Sequence, residues 1–434
     1  MQEKPNAVSR RDFMKVSAAG AAGLAIANLA PVIYAASADT IKVGLIGCGG
    51  RGTDATRNFM DAAGNVKAPV KLVATADLWA DRAKGAAEGF RKNEKYKDNV
   101  DIAPENAFGG FDAYKKLLAV DGLTAIITAA PPGFRPHHVP AAIAAGKHVF
   151  MEKPVCVDPW GFNEIVKAGK MADEKKLTVV AGTQRRHQNS YRECVKRIRD
   201  GMIGDLVGGA YYWMGGPVTH NRPRGKDMTD IEWQISNWYA WSWTCGDHIV
   251  EQHVHNIDIM LWVMGKLPEK AVGCGGRQER PEPGNIFDHH AVEFTFPGDI
   301  RVQSYCTHFP GEVAGRVSEY CVGTKGKSNC GGGIEVFGGQ GYNFSGENPN
   351  PYVKEHEDFI NSVLGKGDHY NECEQVANST MAAVLGRMCT YTGREIKWDW
   401  ATKASKLKLG PENPEAFGPY EADPVAMPGK TKLI

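Results

Sequence analysis

"TIKVGLIGCGGRGTDATRNFM", residues 40–60, passes from an apolar run through a glycine-rich turn into helix-compatible residues. Gly47, Gly49 and Gly52 fit G-x-G-x-x-G, placed after a strand and at the start of a helix. In that setting the first glycine permits a tight turn. The second lets a pyrophosphate approach the backbone, and the third lets helix pack on strand. The free N–H groups of the helix N-terminus then face the phosphates, with Gly50 and Arg51 as further contacts. A plain glycine turn shows the same spacing, so the sequence on either side decides.

Downstream, "VKLVATAD" reads as a second strand ending in Asp77, an acid able to accept both ribose hydroxyls of an adenosine. Asp77 follows Gly47 by 30 positions, against the usual ~20, and the surplus is read as an enlarged loop at "DAAGNVKAP". Asp77 also suits the N-cap of a helix beginning in "LWADRAKGAAEGF". An acid here disfavours a 2′-phosphate, so NAD is expected, with Arg82 leaving NADP open. A third unit, "LTAIITAAPPGFRPHHVPAAIAAGKHVFMEKP", reads as strand, proline-rich turn containing Pro131, short helix and strand. Its last strand delivers Glu152 and Lys153 to the carboxyl edge of a parallel sheet, where ligands bind. Pro154 then stops further pairing. A charged pair after an apolar strand is costly unless it has partners or a task.

The chain of 434 residues is long enough for two domains. With 42% hydrophobic and 23% charged residues and a net charge of +1, nothing favours nucleic acid or an acidic membrane surface as partner. The N-terminus carries "SRRDFMK" (residues 9–15), a weakly apolar Ala/Gly stretch, and "ASA" at residues 36–38. This resembles a twin-arginine export signal over residues 1–38, with a periplasmic mature chain beginning near Asp39. The alternatives are an N-terminal helix or an anchor. An anchor needs roughly 20 strongly apolar residues, so no stable membrane insertion is expected. Ten cysteines without a CxxC pair are read as free, buried thiols of a protein folded before export.

The first domain is expected over residues 39–157 and the second over 158–434. After the helical "DPWGFNEIVKAGKMADEKK" and the strand "LTVVAG" come alternating stretches such as "HHAVEFTF". There Val292, Phe294 and Phe296 share one face and Glu293 and Thr295 the other, the pattern of a half-buried antiparallel sheet. Helices are expected around residues 353–364 and 374–391, followed by an irregular tail rich in Pro, Gly and acid that packs back on the first domain. The open sheet needs cover from helices on one face and from a second subunit on the other, hence a homodimer or homotetramer.

The glycine turn, the "AGKHVFMEKP" block and "GDHIVEQHVHNIDIMLW" together resemble the Gfo/Idh/MocA family of glucose–fructose oxidoreductases and inositol dehydrogenases, over residues 40–395. The resemblance implies a Rossmann domain, a second α/β domain with a large, mostly antiparallel open sheet, and nicotinamide-dependent chemistry on a carbohydrate. It places Lys153 between nicotinamide and substrate, and implies catalytic roles for His255 and Glu251. Glu251, His255 and Asp258 stand at i, i+4 and i+7, one face of a helix. An imidazole suits a general base at neutral pH. Glu251 would orient it or accept from the sugar, and Glu152 would position Lys153 or cap local N–H groups. Glu251 and His253 stand where the family has Asp and Gly, and Arg135 where many members have His, which bears on the substrate more than on the reaction.

The resemblance implies that Arg185, Arg186 and His187 follow a strand facing the cleft, so one of them is expected to touch substrate, as is Asp258; Trp243, from the cluster "WQISNWYAWSWTC", either stacks on a sugar ring or covers the sheet. His248, His253, His255 and Glu251 crowd together in sequence, but His253 points away from the others' helical face. No metal is expected, because zinc wants three or four convergent ligands. The reading is hydride transfer from a carbinol carbon to tightly bound NAD. Its rivals are a glycosidase acting through transient oxidation and a non-catalytic sugar-binding protein. The Tyr-x-x-His signature of the former, followed by Gly-Pro, is absent from the corresponding stretch near "WTCGDHIVEQ".

Overall fold

The computed structural model describes residues 40–218, 220–280 and 283–434. The export signal expected over residues 1–38 therefore lies outside the described residues. Six parallel strands form the first sheet: β1 (Ile41–Ile46), β2 (Val70–Asp77), β3 (Ala107–Gly109), β4 (Ala125–Thr128), β5 (His148–Met151) and β6 (Val179–Ala181), in the order β3-β2-β1-β4-β5-β6. The strands are apolar on both faces because helices cover both. These are α1 (Gly50–Asn65), α2 (Ala80–Lys92), α3 (Ala113–Leu118), α4 (Arg135–Ala144) and α5 (Pro159–Lys175). The strand order reverses between β1 and β4, which opens a ligand crevice at their carboxyl ends.

Two boundaries differ from expectation. The surplus before β2 is mostly helix: α1 continues to Asn65 because Ala62 and Ala63 are buried, leaving only residues 66–69 as a link. The first domain also does not stop at residue 157. Asp158 caps α5, accepting from Gly161 N at 2.7 Å, and α5 is the crossover that returns the chain to β6 in the same sheet.

After α6 (Asn189–Arg199) the second sheet assembles from β7 (Leu206–Gly215), β8 (Lys270–Gly276), β9 (His289–Phe296), β10 (Ile300–His308), β11 (Arg316–Gly323), β12 (Gly326–Ser328), β13 (Gly333–Val336), β14 (Tyr342–Asn343) and β15 (Ile396–Lys397). Its order is β14-β13-β12-β11-β7-β10-β9-β8-β15, antiparallel except for the β7–β10 pair. Between β7 and β8 come α7 (Asp230–Ser236) and α8 (Val254–Met264). Between β14 and β15 come α9 (Pro351–Val363) and α10 (Cys373–Thr392). Val292, Phe294 and Phe296 of β9 are buried in a core shared with α10. Helix α9 instead returns to the first domain, where Phe359 meets Phe59 and Phe150 at ring-centroid distances of 6.3 and 6.1 Å.

The tail beyond residue 403 is irregular and does lie on the first domain: Phe417 stacks on Trp79 at 5.7 Å and meets Phe111 edge-on at 4.9 Å. All ten cysteines are free, and only Cys274 is exposed. No helix among the described residues is long and apolar enough to cross a membrane.

Candidate active site

A cleft of about 840 Å³ runs along the carboxyl ends of the first sheet and is closed on its far side by the second domain. Every residue expected to contact a dinucleotide lines it: Gly47, Gly49, Gly50, Arg51, Gly52, Asp77, Pro131, Glu152 and Lys153. Gly47 has φ +90°, and a Cβ there would stand 2.5 Å from Ala130 N. A Cβ on Gly52 would stand 1.9 Å from the Gly47 carbonyl oxygen, so the strand-to-helix packing requires glycine. At Gly49 and Gly50 a Cβ would meet nothing within 4 Å, leaving the backbone open to the cleft. No side chain caps α1 and no acid sits in its first turn. Its N–H groups are thus free for an anion, and the cradle fits a dinucleotide pyrophosphate. Asp77 Oδ2 accepts from Cys48 N at 2.8 Å and braces the turn, while Oδ1 accepts from Trp79 N at 3.0 Å and lies 3.8 Å from Arg82. The carboxylate therefore shapes the loop before α2 and also faces the cleft.

At the opposite end, Lys153 Nζ donates to the Glu251 carbonyl at 2.5 Å and lies 3.2 Å from Glu251 Oε1. The helix expected around Glu251 is broken. A single turn, His248–Glu251, ends where His253 N returns to His248 O, and α8 starts at Val254. In a regular helix His255 N would bond Glu251 O; here it bonds Gln252 O at 3.3 Å. The break frees the Glu251 carbonyl for Lys153. His255 and Glu251 both still line the cleft.

The His255 ring stacks on Trp213 at 5.8 Å and makes no hydrogen bond among the described residues. Burial holds its pKa well below the usual imidazole range, helped by the positive charges of Lys153 and Arg185. The imidazole is therefore neutral, the form that can accept a proton. Glu251 does not bond it, and Glu251 Oε2 is buried without a partner.

Other expectations are corrected. Glu152 does not pair with Lys153; it takes Arg51 Nε at 3.0 Å instead. Asp258, on the far side of the helix break, is buried and bound by Arg186, by Ser379 at 2.6 Å and by Gln375 at 3.2 Å. Arg186 is used up there, with its guanidinium over Trp262, so neither residue reaches the cleft. His187 is buried against Asp358 at 2.7 Å. Of that triplet only Arg185 lines the cleft, held by Glu319, which also accepts from Asn256 and Tyr191. Trp243 is a core residue whose Nε1 donates to Gln234 at 2.7 Å. The cleft's indoles are Trp79 at its Asp77 end and, beside His220 and Arg222, Trp213 and Trp238. Trp213 could have been suspected from the alternation in "AYYWM", whereas His220 and Arg222 lie in a loop without a periodic signal. Arg135 is buried and donates to Pro154 O at 2.6 Å, bracing the turn after Lys153; burial brings its pKa down to about 10.

The four residues suspected of crowding a metal do not converge. His255 and Glu251 face the cleft, His253 Nε2 pairs with Ser304 Oγ at 2.8 Å, and His248 turns to Asp247.

Residues 41–183 match the "Oxidoreductase family, NAD-binding Rossmann fold", and residues 195–390 match the "Oxidoreductase family, C-terminal alpha/beta domain" of the same Gfo/Idh/MocA group. The inositol 2-dehydrogenase/D-chiro-inositol 3-dehydrogenase of Halalkalibacterium halodurans is 31% identical over 38% of this chain and 42% of its own length. A glycosyl hydrolase family 109 protein of Streptomyces coelicolor is 27% identical over 48% of this chain and 45% of its own. The chain thus spans less than half the length of either. The crystal structure of scyllo-inositol dehydrogenase from Lactobacillus casei, with bound NAD(H) and scyllo-inositol, superposes with a TM-score of 0.60 at 20% identity, covering 83% of this chain and 99% of that one. At that identity the likeness shows the fold.

Proposed function

Because this chain belongs to the Gfo/Idh/MocA oxidoreductase family, both of whose domains it carries, we propose that it is an NAD(P)-dependent dehydrogenase acting on a hydroxyl of a sugar, polyol or glycoside. The observation that carries the reading is the meeting of Lys153 and neutral His255 in one cleft, delivered by two domains. When bound along the glycine turn, the nicotinamide dinucleotide supplies the hydride acceptor. His255 takes the hydroxyl proton as the carbinol C–H departs as hydride. The Lys153 ammonium, anchored by Glu251, stands where the developing alkoxide needs positive charge. Asp77 supports NAD over NADP, and Trp213, Trp238, Arg185 and Arg222 offer stacking surfaces and charge to a polyhydroxylated ring.

The reading includes export of a folded, cofactor-loaded enzyme to the periplasm and a homodimeric or homotetrameric state. Fractionation of an Arg10→Lys/Arg11→Lys double variant and light scattering of the purified protein test these. Retention inside the cell and an oligomeric mass are expected. Glycoside cleavage through transient oxidation is the second reading, supported by the family 109 relative.

The direct test is single-turnover reduction of bound NAD at 340 nm across a sugar panel, with cofactor content measured in each variant. His255→Ala and Lys153→Ala should each lower the rate by about 10²–10⁴-fold while cofactor content stays at the wild-type level. A wild-type rate in His255→Ala would overturn the proton-transfer role. Release of an aglycone in place of a ketosugar would favour the second reading.

A further inference from the structure

We propose that Asp247, His248 and His290 form a structural site for a divalent transition-metal ion of the zinc type, behind the catalytic turn and separate from the cleft. Each offers a ligand atom within 4.8 Å of the other two, and none of the three lines the cleft. All three are fully or almost fully buried. Asp247 Oδ1 lies 3.3 Å from His290 Nε2 and 2.8 Å from His248 Nδ1. Zinc bonds of 2.0–2.2 Å in a tetrahedron put ligand atoms roughly 3.3–3.6 Å apart. The Asp–His290 spacing already has that value, and His248 needs only a small shift.

Three further observations point the same way. His290 Nε2, the ligand atom that residue offers, has no hydrogen-bond partner, an uncommon state for a buried imidazole nitrogen. The groups around the cluster fix its orientation as an outer shell does. His290 Nδ1 pairs with Thr390 Oγ1 at 2.8 Å, leaving Nε2 turned inward. Asp247 Oδ2 accepts from Phe287 N at 2.9 Å and from Tyr391 OH at 2.6 Å, while Oδ1 accepts from the His248 backbone N at 2.5 Å and faces the cluster. Finally, Asp247 adopts φ 82°, ψ 159°, a conformation that residues with a Cβ enter at a cost and that clusters at functional sites. A carboxylate–imidazole network alone explains the Asp247 contacts but not the unpartnered His290 Nε2. Two imidazoles and one carboxylate are a donor set that suits zinc.

The site adjoins the His248–Glu251 turn, so an ion there would stiffen the backbone whose carbonyl receives Lys153. The proposal does not depend on the substrate or reaction assigned above, and its test reads metal content and stability. Full-length protein in a Cys274→Ser background, which removes the exposed thiol, is incubated with zinc sulfate, desalted and measured by inductively coupled plasma mass spectrometry. About one zinc per chain is expected in that parent, falling at least tenfold in His290→Ala and His248→Ala. If those variants fail to fold, the parent alone decides. Dipicolinate should strip the ion and lower the melting temperature, and added zinc should restore both. A parent that holds no zinc, a His290→Ala protein that keeps it, or a melting temperature indifferent to the chelator would each overturn the proposal.

Discussion

Lys153 shows how a charged residue behind an apolar strand is accommodated: its ammonium is taken by a carbonyl that a broken helix leaves free. Burial, with this charge and that of Arg185 added, holds His255 neutral. A base with a lowered pKa stays unprotonated as pH falls through 6.5, so the acid limb of kcat/KM should lie below the ordinary imidazole range. Arg185→Gln removes one of the two cations that disfavour the imidazolium. It should therefore raise the His255 pKa and move the acid limb to higher pH, as a pH–rate profile would show. An unmoved limb would mean that His255 is not the titrating base. The glycines, Lys153, Glu251 and His255 were legible because their motifs are local. Asp258, Arg186 and Trp243 were misread because spacing on an assumed continuous helix, or membership of an aromatic cluster, does not say which side chains find partners inside the core.

Among the elements, β9 was legible from strict alternation, and α10 from its length and apolar content. Strand β6 was visible as an apolar run but assigned to the wrong domain. Three residues long and reached through a crossover helix, it carries no mark of which sheet it joins; the hydrogen bonds to β5 decide that. The surplus before β2 looked like a loop because Gly64 and Pro69 suggest a turn, whereas buried Ala62 and Ala63 carry α1 through it. The junction of β1 and α1 gives a sharp prediction. In Gly52→Ala the new methyl would stand 1.9 Å from the Gly47 carbonyl oxygen, so α1 must move off the strand. Overpacking of this kind costs about 1–3 kcal/mol, measurable by urea unfolding. The same shift withdraws the N–H cradle, so dinucleotide affinity should fall as well; unchanged affinity would place the pyrophosphate elsewhere.

In the whole molecule, the C-terminal tail closes the Asp77 end of the cleft. Glu415 bonds Tyr114 at 2.7 Å and Lys115 at 2.8 Å, and Phe417 covers Trp79 and Phe111. Trp79, Phe111, Tyr114 and Glu415 all line the cleft beside the expected adenosine position. An aromatic contact is worth about 0.5–1.5 kcal/mol. Phe417→Ala should therefore speed dinucleotide release roughly two- to tenfold, followed by the fluorescence of displaced NADH. An unchanged release rate would make the tail a surface wrapping only. Helix α9 has a different reach. Phe359 and Ile360 complete the packing of Phe59 and Phe150, although residues 183 and 363 are separated by some 180 positions of the second domain. At a translation rate of ~5–20 residues per second, that interval lasts roughly 10–40 s. Throughout it, the growing chain carries a first domain whose core is missing one wall. Apolar surface of that core stays uncovered for the interval, so an excised fragment of residues 40–183 should aggregate where the full chain folds, as light scattering of the two would show.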